Sequence, residues 1–326
     1  MDGISIIICC YNSELFIKQT LLHLIQQKVP QNFLWEIIIV NNNCTDNTEK
    51  IAIETLNESS IDYKLIKEEK AGLGHARIKG VKESSYQFII FCDDDNLLCN
   101  TYIYEAYQIM KNNEGIGACG GMGIPQYETT PTKEIKKMQG CYALGSQKNN
   151  RYYLYGAGLC IRKKLYENII QLNIPLLLTG RKEKLLLAGD DSEICKWIIL
   201  MGYQLVSSDS LTFIHIIQKK RLNNKYLKSI IKGIAYSEPI LSVYNSIILK
   251  KQKYNYHSYI IKNVLLLGKS ILLSIIDPHY NIFIYNYYYT IKGYLHWKNS
   301  YLKSIHNNIS QLIRTKKFKT IVRNNN

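Results

Sequence analysis

Apolar and polar positions alternate in a regular order along the first half of the chain, and this order predicts its elements. Short apolar runs of strand length are separated by stretches in which apolar residues recur every three or four positions, as on one face of a helix. The predicted strands are Ile4–Cys9, Glu36–Val40, Tyr63–Lys67 and Tyr86–Cys92, and the clearest helix between them is Gly72–Lys82. Strands that alternate with helices predict an α/β fold with a mostly parallel sheet covered by helices on both faces.

Two helix starts carry residues that commonly cap helices. Asn12 or Ser13 precedes the first helical pattern, and either side chain is suited to cap it. Asp46, with Glu49 three residues later, matches a capping box for a second helix that runs through Leu56.

The second half of the α/β pattern is less regular. Glycines and prolines over residues 115–151 predict loops, and Tyr152–Ile161 is typical of a strand. A helix over Asp190–Met201 and a strand over Leu211–Ile216 complete the pattern. These elements extend the predicted sheet.

The composition changes after residue 222. We therefore expect an α/β domain over residues 1–222 and a Tyr-rich and Ile-rich basic helical region over residues 223–326. The longest apolar stretch, Val264–Ile276, contains Lys269 and is too short to span a bilayer. The basic, Asn-rich residues from Thr315 onward predict a disordered tail.

Charge and cysteine content narrow the possible partners and the compartment. The chain has 326 residues and a formal charge of +15, which favours an anionic partner or reflects a composition biased towards Lys, Asn, Ile and Tyr. Its nine cysteines include no Cys-x-x-Cys pair and favour buried thiols in a reducing compartment. Because no basic segment precedes the first strand, we expect no signal peptide and a cytoplasmic protein.

Polar residues cluster where the predicted strands end. Tyr11-Asn12 follows the first strand, Asn41-Asn42-Asn43 the second, and Asp93-Asp94-Asp95 the fourth. Ligands of such sheets bind beyond the carboxyl ends of the strands. Three adjacent carboxylates repel one another unless a cation neutralises them, so the aspartates predict a Mg²⁺ or Mn²⁺ site. A solvated turn is the alternative.

These motifs, taken in order, resemble glycosyltransferase family 2, whose members are inverting enzymes with a GT-A (Rossmann-like) fold. The similarity extends from residue 4 to about residue 222 and rests on five segments. They are Ile6–Glu14, Glu36–Thr48, Gly72–Gly80, Asp93–Asp95 at the position of the family's DxD motif, and Gly189–Ile194. The resemblance implies transfer of a sugar from a nucleotide sugar, most simply a UDP-sugar, to a hydroxyl acceptor.

The resemblance also implies roles for individual residues. It implies that Asp191 is the catalytic base and that Asp93, Asp95 and His215 hold the metal. The residues implied in binding the nucleotide sugar are Tyr11, Asn12, Glu14, Asn41, Arg77, Asp93, Asp94, Gly156 and Gly158. Asn41 and Asn42 stand where the family often has Asp, and an Asn amide oxygen accepts a base N–H bond without charge.

Several of these residues have ordinary structural alternatives. Asp190 and Asp191 are suited to capping a helix, with Asp190 as the cap and Asp191 as the base if both roles hold. The Gly156-Ala157-Gly158 run is also typical of a strand bulge. Arg77 is alternatively a surface residue, and His215 an ordinary residue at a strand end. Arg181 is a further candidate for contact with the diphosphate.

The basic helical region has two interpretations. Cationic helices with aromatic and apolar faces bind anionic membranes, which would fit a lipid-linked saccharide acceptor in surface polysaccharide synthesis at the cytoplasmic face of a membrane. Alternatively, these helices pack on the α/β domain. Two other classes of protein remain as alternatives: a sugar nucleotidyltransferase, which would have a glycine-rich loop after the first strand, and a basic nucleic-acid-binding protein, in which the aspartates would repel phosphates.

Overall fold

The computed structural model describes residues 1–150, 152–174, 176–178, 181–182, 185–186 and 188–323, with the side chains at 181, 182, 185, 186 and 323 outside the description. The strands are β1 Ile4–Cys10, β2 Trp35–Asn41, β3 Tyr63–Lys67, β4 Phe88–Cys92, β5 Asn96–Leu98, β6 Ile116–Tyr127, β7 Leu159–Arg162, β8 Arg181–Lys182, β9 Leu185–Leu186 and β10 Gln204–Ile217. The helices are α1 Ile17–Ile25, α2 Thr48–Asn57, α3 Leu73–Glu83, α4 Tyr102–Asn112, α5 Lys133–Lys137, α6 Lys163–Gln171, α7 Asp190–Leu200, α8 Asn224–Ile248, α9 Tyr256–Ile276, α10 Asn281–Trp297, α11 Asn299–Leu312 and α12 Lys316–Arg323.

Eight of these strands form one sheet in the order β3-β2-β1-β4-β7-β6-β10-β5, and β8 pairs with β9 separately. Strands β3, β2, β1 and β4 are parallel, as are β6 and β10. β7 runs antiparallel between β4 and β6, and β5 is antiparallel to β10. The mostly parallel sheet expected from the sequence is confirmed.

Helices cover both faces of the sheet, which explains why the strands are almost continuously apolar. Ile6 and Ile8 of β1 belong to the apolar core beneath α1, α2 and α4. Ile7, on the opposite face of β1, belongs to a second core that includes residues of α3, α6 and α7. The same core continues into α8 through Val243 and Tyr244.

The prediction of loops over residues 115–151 is wrong for strand β6. Gly121 and Gly123 lie within this strand, although glycine usually weakens strands. A Cβ at Gly121 would collide with the carbonyl oxygen of Leu211, and one at Gly123 with that of Ala143. Glycine is therefore required here because neighbouring backbone passes too close for a side chain.

The strand predicted over Tyr152–Ile161 is much shorter, since β7 begins only at Leu159. Gly158 has φ of +70°, and its carbonyl accepts a hydrogen bond from the Tyr102 hydroxyl at 2.8 Å. This positive φ breaks the extended backbone, so residues 152–158 form a loop. The fourth strand likewise starts at Phe88, two residues later than predicted.

The predicted helix caps are also wrong. Helix α1 begins after Phe16, and the Asn12 side chain instead accepts a hydrogen bond from Thr45 N at 2.8 Å. Helix α2 begins after Asn47, which makes no side-chain cap. Asp46 spans two loops instead, because its carboxylate accepts bonds from the backbone N–H groups of both Thr48 and Glu14.

The region after residue 222 is helical as expected. Helix α8 packs on the α/β domain, and α10 approaches α8 closely at Gly293, where a Cβ would lie 3.1 Å from the Ala235 carbonyl oxygen. Residues from Thr315, predicted to be disordered, include helix α12. The apolar stretch predicted to be too short for a membrane is part of α9, which has 21 residues and is long and apolar enough to span one.

Candidate functional site

The polar segments after β1, β2 and β4 meet at one edge of the sheet, as their positions predicted. The Ser13 hydroxyl donates to Asp94 Oδ2, and the Thr20 hydroxyl donates to the Asp94 carbonyl oxygen at 2.7 Å. These bonds hold the segment after β4 against the segment after β1. Burial, reinforced by the neighbouring Asp95 carboxylate, raises the pKa of Asp94 to about 7.

Asn41 uses both ends of its amide to fix the turn after β2. Its Oδ1 accepts a bond from Cys44 N at 2.8 Å, and its Nδ2 donates to Glu49 Oε2 at 2.6 Å. Both groups are therefore engaged within the protein. The predicted contact of Asn41 with the N–H of a nucleotide base would therefore use the second lone pair of Oδ1, or it would require a rearrangement of this turn.

The predicted nucleotide-binding residues after β1 lie at the surface of the same edge. Tyr11 is 67% exposed, and Asn12 adopts a left-handed conformation with φ of +54°. Glu14 Oε2 accepts hydrogen bonds from the backbone and side-chain nitrogens of Asn47 at 3.0 and 3.1 Å. The nucleotide-binding role of Tyr11, Asn12 and Glu14 remains a prediction.

Arg77 is buried, so the surface alternative for this residue is wrong. Its Nη1 lies 2.5 Å from Asp190 Oδ2, and its guanidinium lies 5.0 Å from the centre of the Phe91 ring. Burial opposes the charge, but the carboxylates of Asp190 and Asp93 outweigh it and raise the pKa of Arg77. Arg77 therefore joins α3 to the start of α7, where the proposed base lies.

The role of Asp190 differs from the predicted helix cap. Helix α7 begins after Gly189, whose φ is +108°, and no side chain caps it. Asp190 turns towards Arg77 because an unpaired guanidinium in this buried position would be strongly unfavourable. The pair fixes the first turn of α7 against α3.

We expect Asp190→Asn to lower the free energy of unfolding by about 3 kcal/mol, because it leaves the Arg77 charge without its nearest partner. The two side chains are only 6% and 17% exposed, so solvent compensates little. Thermal denaturation should show a melting temperature lower by about 5–10 °C. Glu167→Gln, which breaks the more exposed pair with Lys163, is the matched control and should change it by about 2 °C or less. Equal melting temperatures for wild type and Asp190→Asn would contradict this role.

Asp191 is partly buried in the adjacent position of α7. Its Oδ2 accepts a hydrogen bond from Gly156 N at 2.9 Å, and its Oδ1 accepts one from Ser192 N at 2.6 Å. Burial, together with the Asp190 charge, raises the pKa of Asp191 to about 6, while Arg77 and these two N–H groups oppose the shift. The helix N-terminus therefore does not keep this carboxyl at its usual low pKa.

The two glycines of the predicted ligand-binding run have different environments. A Cβ at Gly156 would lie 2.9 Å from Arg77 Nη2, so a larger residue would have to displace the guanidinium that pairs with Asp190. Gly158 lies deeper, where a Cβ would collide with the Tyr102 hydroxyl. Gly158 therefore forms a bend between the loop and β7, and Gly156 contacts Asp191, while the predicted roles of both glycines in ligand binding remain predictions.

His215 and Asp95 face each other at the carboxyl edge of β4 and β10. The His215 Nδ1 lies 2.7 Å from the Tyr142 carbonyl oxygen, which can only accept, so Nδ1 carries the proton. The Nε2 lone pair then points to Asp95 Oδ1, 3.5 Å away. A backbone carbonyl that fixes the tautomer of a histidine in this way is typical of metal-binding histidines.

This pair fits a divalent cation that takes its other ligands from substrate. Adjacent ligand atoms around Mg²⁺ lie about 3 Å apart, slightly closer than this pair. Among the described residues, no group of three or more His, Cys, Asp or Glu side chains has the geometry of a complete metal site. A cation held here would therefore rely on diphosphate oxygens and water, as Mg²⁺ commonly does. The participation of Asp93 remains a prediction.

Arg221 is a component of the site that the sequence interpretation did not include. Its Nη1 lies 2.8 Å from Asp95 Oδ2, on the other oxygen from the one that faces His215. The Tyr142 hydroxyl donates to the Arg221 carbonyl at 2.9 Å, so one residue positions both His215 and Arg221. The signal available in the sequence was the basic Gln218–Leu222 segment, which begins three residues after His215.

A buried carboxylate also connects the site to the C-terminal helices. Glu193 accepts hydrogen bonds from Leu177 N and Leu178 N at 3.0 and 2.7 Å and from the Tyr244 hydroxyl at 2.5 Å. Burial raises the pKa of Glu193 to about 7. Helix α8 thus supports the helix that carries Asp191. The side chain of Arg181 lies outside the described residues.

Solved structures with a similar fold are sugar-transferring enzymes. The mannosyltransferase PcManGT from Pyrobaculum calidifontis, in complex with GDP-Man and Mn2+, superposes with a TM-score of 0.59 at 14% identity, covering 89% of this chain and 85% of that one. S. aureus TarS 1–349 in complex with UDP-GlcNAc gives 0.52 at 14% identity, covering 95% and 92%. These similarities establish a GT-A type of fold, as the sequence predicted.

Sequence comparison defines the family. The model of Glycosyl transferase family 2 matches residues 5–169, and the chain belongs to this family. The poly-beta-1,6-N-acetyl-D-glucosamine synthase of Staphylococcus epidermidis is 29% identical over 122 residues, which are 37% of this chain and 28% of that protein. The synthase of Staphylococcus aureus strain COL is 27% identical over 121 residues, again 28% of its length. The matched segment of this chain thus corresponds to less than a third of the length of these relatives. Family membership favours glycosyl transfer over the two alternative classes, nucleotidyltransferase and nucleic-acid-binding protein.

Proposed function

We propose that this protein is an inverting glycosyltransferase that moves a sugar from a nucleotide sugar to a hydroxyl group of a saccharide acceptor. The observation that carries the proposal is the partly buried Asp191 carboxylate, which is oriented by the Gly156 N–H and lies next to the Arg77–Asp190 pair. This transfer requires a carboxylate base near a group that stabilises the leaving diphosphate. Family membership supports the same reaction class.

In the proposed reaction Asp191 takes the proton of the acceptor hydroxyl as its oxygen attacks the anomeric carbon of the donor sugar. The bond from that carbon to the diphosphate oxygen breaks on the opposite face, and the diphosphate leaves with the bonding electrons. General-base assistance of this kind contributes about 10²–10⁴-fold. A bound divalent cation, held by Asp95 and His215, would supply Lewis-acid stabilisation of the leaving diphosphate. Arg77 and Gly156 keep the Asp191 carboxylate in place.

The donor is proposed to be a UDP-sugar and the cation Mg²⁺ or Mn²⁺. The support is the solved TarS complex with UDP-GlcNAc and the PcManGT complex with GDP-Man and Mn2+, together with the His215 Nε2 that faces Asp95 Oδ1 at 3.5 Å. A thermal-shift screen of UDP- and GDP-sugars with Mn²⁺ tests this. A donor present at about 100 times its Kd should add roughly 2.7 kcal/mol of stability. If no nucleotide sugar raises the melting temperature in the presence of Mn²⁺, the proposed donor class is wrong.

The pH dependence of transfer should report the ionisation of Asp191. Because its pKa is raised to about 6 and the base must be ionised, kcat/KM should rise tenfold per pH unit below about pH 6 and level off above it. Initial rates between pH 4.5 and about 8, with the fold monitored by circular dichroism, give the profile. A profile that is flat through pH 5–7 would contradict an essential base with this pKa.

We also propose that the enzyme works at the cytoplasmic face of a membrane on a lipid-linked saccharide. The division at residue 222 is proposed to separate the GT-A catalytic domain from a region that brings it to that surface. The support is the basic, Tyr-rich composition of residues 223–326 and the polysaccharide synthases among the relatives. The contact between α8 and α7 means that this region also serves the catalytic domain structurally.

A further inference from the structure

Helix α9 differs from the other helices of the C-terminal region in how little of it is covered. Among the described residues it is the one helix long and apolar enough to cross a membrane, yet only 6% of its most apolar window is buried. Its exposed apolar side chains are Ile261, Val264, Leu265, Ile271, Leu272, Ile275 and Ile276. Leu265 and Leu272 are 68% and 67% exposed, which is unusual for leucines in a folded protein.

The exposed residues form one stripe along the helix, which we call the α9 stripe and define as these seven residues. Ile261, Leu265, Leu272 and Ile276 follow helical spacing, with Val264, Ile271 and Ile275 beside them. Lys262 and Lys269 are seven residues apart and therefore lie together along one edge of the stripe. An apolar stripe edged by lysines is the pattern of a helix that lies in a membrane interface.

The rest of the C-terminal region has the charge that such a surface needs. Residues 223–326 contain 16 Lys and Arg against two acidic residues, a formal +14 of the +15 carried by the whole chain. The charge is therefore localised and does not follow from a uniform compositional bias. One of the two acids, Asp277, is already paired with Lys137 at 3.0 Å. On the adjacent α10, Lys292 lies 4.7 Å from the Tyr288 ring.

Contacts at both ends of α9 argue that it lies along the membrane instead of crossing it. At its start the Tyr256 hydroxyl donates to the Tyr294 carbonyl of α10 at 3.1 Å. At its end the Asp277–Lys137 pair is joined by His279 Nδ1, 2.8 Å from Glu134 Oε1. The two ion pairs that follow the end of α9 therefore both join it to α5. A spanning orientation would break the contacts at both ends at once.

The attachment to α5 also relates the stripe to the proposed active site. Helix α5 ends at Lys137, and the backbone then passes through Met138 to Tyr142, whose carbonyl binds His215. The end of α9 is thus connected to His215 of the proposed metal site through α5 and the short segment Met138–Tyr142.

We propose that the α9 stripe docks on an anionic lipid bilayer, with the helix lying in the interface plane, and that this holds the active site beside lipid-linked acceptors. The part about the acceptor rests on the proposed function, and the docking deepens it by naming the helix that would bring the enzyme to the membrane surface. The occupant is a bilayer because the surrounding charge is almost entirely positive, which would disfavour a second copy of the same surface.

The test is sedimentation of the full chain with vesicles of phosphatidylcholine containing about 30% phosphatidylglycerol, at low salt. Wild type should co-sediment and be released by alkaline carbonate, as a peripheral protein is. Leu272→Glu should weaken partitioning by about tenfold or more, because it puts a charge at the centre of the stripe. Leu34→Glu, in a loop before β2 and 53% exposed, is the matched control and should bind like wild type.

Three results would overturn the proposal. Wild type that stays in the supernatant excludes the bilayer, and wild type that resists carbonate excludes the parallel orientation. If light scattering shows a dimer that Leu272→Glu converts to a monomer while vesicles have no effect, the stripe is a subunit interface. Hydrolysis of a nucleotide sugar without acceptor should be equal in wild type and Leu272→Glu. This readout separates failure of docking from failure of the proposed function.

Discussion

Asp191→Asn is expected to lower the rate of sugar transfer by about 10²–10⁴-fold while donor binding changes little. Asn has the size of Asp and its amide oxygen can still accept the bond from Gly156 N, so the loop should stay in place. The variant loses the ability to take a proton from the acceptor hydroxyl, and with its single amide oxygen it also gives up one of the two backbone N–H bonds, that from Ser192 N. Single-turnover rates and calorimetric donor affinity, measured on the same preparation, separate these two effects.

Asp62→Asn is the matched control for Asp191→Asn, because it makes the same change at an exposed position. It should leave both the rate and the affinity within about twofold of wild type. Because burial raises the pKa of Asp191, the residual activity of Asp191→Asn should also lose the acid limb near pH 6. Near-normal turnover by Asp191→Asn would rule out this residue as the base.

Asp95→Asn should remove most of the metal-dependent nucleotide affinity. The Asn amide oxygen can still accept the hydrogen bond from Arg221 Nη1. The substitution removes the negative charge that faces His215 Nε2. Losing an anionic ligand from a two-ligand site should weaken Mn²⁺-dependent UDP binding by roughly 100-fold. Isothermal titration with and without Mn²⁺ measures the difference, and His215→Ala should change it in the same direction by a smaller factor.

Asp94→Asn provides the comparison for Asp95→Asn within the same turn. The Asp94 carboxylate accepts the Ser13 hydroxyl and does not face His215, so this variant should lose less than about tenfold in Mn²⁺-dependent affinity. Equal losses for Asp94→Asn and Asp95→Asn would mean that general negative charge matters and that Asp95 is not a specific ligand. Unchanged affinity in Asp95→Asn would contradict the proposed metal site.

The sequence predicted those features that depend on local pattern and on the rules of parallel sheets. Buried strands such as β1 and β4 have continuous apolar runs, and the carboxyl ends of parallel strands meet at one edge, so Asn12 and Asp94 could be expected near each other. Helix caps were predicted less well, because long-range partners outcompeted local ones. Asp190 bonds to Arg77 instead of capping α7, and Asp46 divides its two oxygens between the local Thr48 N and the distant Glu14 N.

Tertiary contacts explain what the sequence could not predict about the site. The tautomer of His215 is set by a carbonyl 73 residues away, and Glu193 is bound by Tyr244 of the C-terminal region, 51 residues away. No periodicity encodes such pairs. Strand β6 was missed because its glycines, which usually indicate loops, are required by backbone passing next to the strand. The length of α9 was underestimated as a possible membrane span, because only the continuous apolar stretch Val264–Ile276 was considered and the helix begins at Tyr256.

The most direct test of the central claim is the stereochemistry of donor cleavage with water as the acceptor. The protein is incubated with an α-linked UDP-sugar and Mn²⁺, and the anomeric proton of the released sugar is followed by NMR before mutarotation. A single attack by a water that Asp191 has deprotonated, opposite the leaving diphosphate, predicts that the β-anomer forms first and that Asp191→Asn forms it far more slowly. Release of the α-anomer first, or equal rates from wild type and Asp191→Asn, would contradict an inverting transfer that depends on this base.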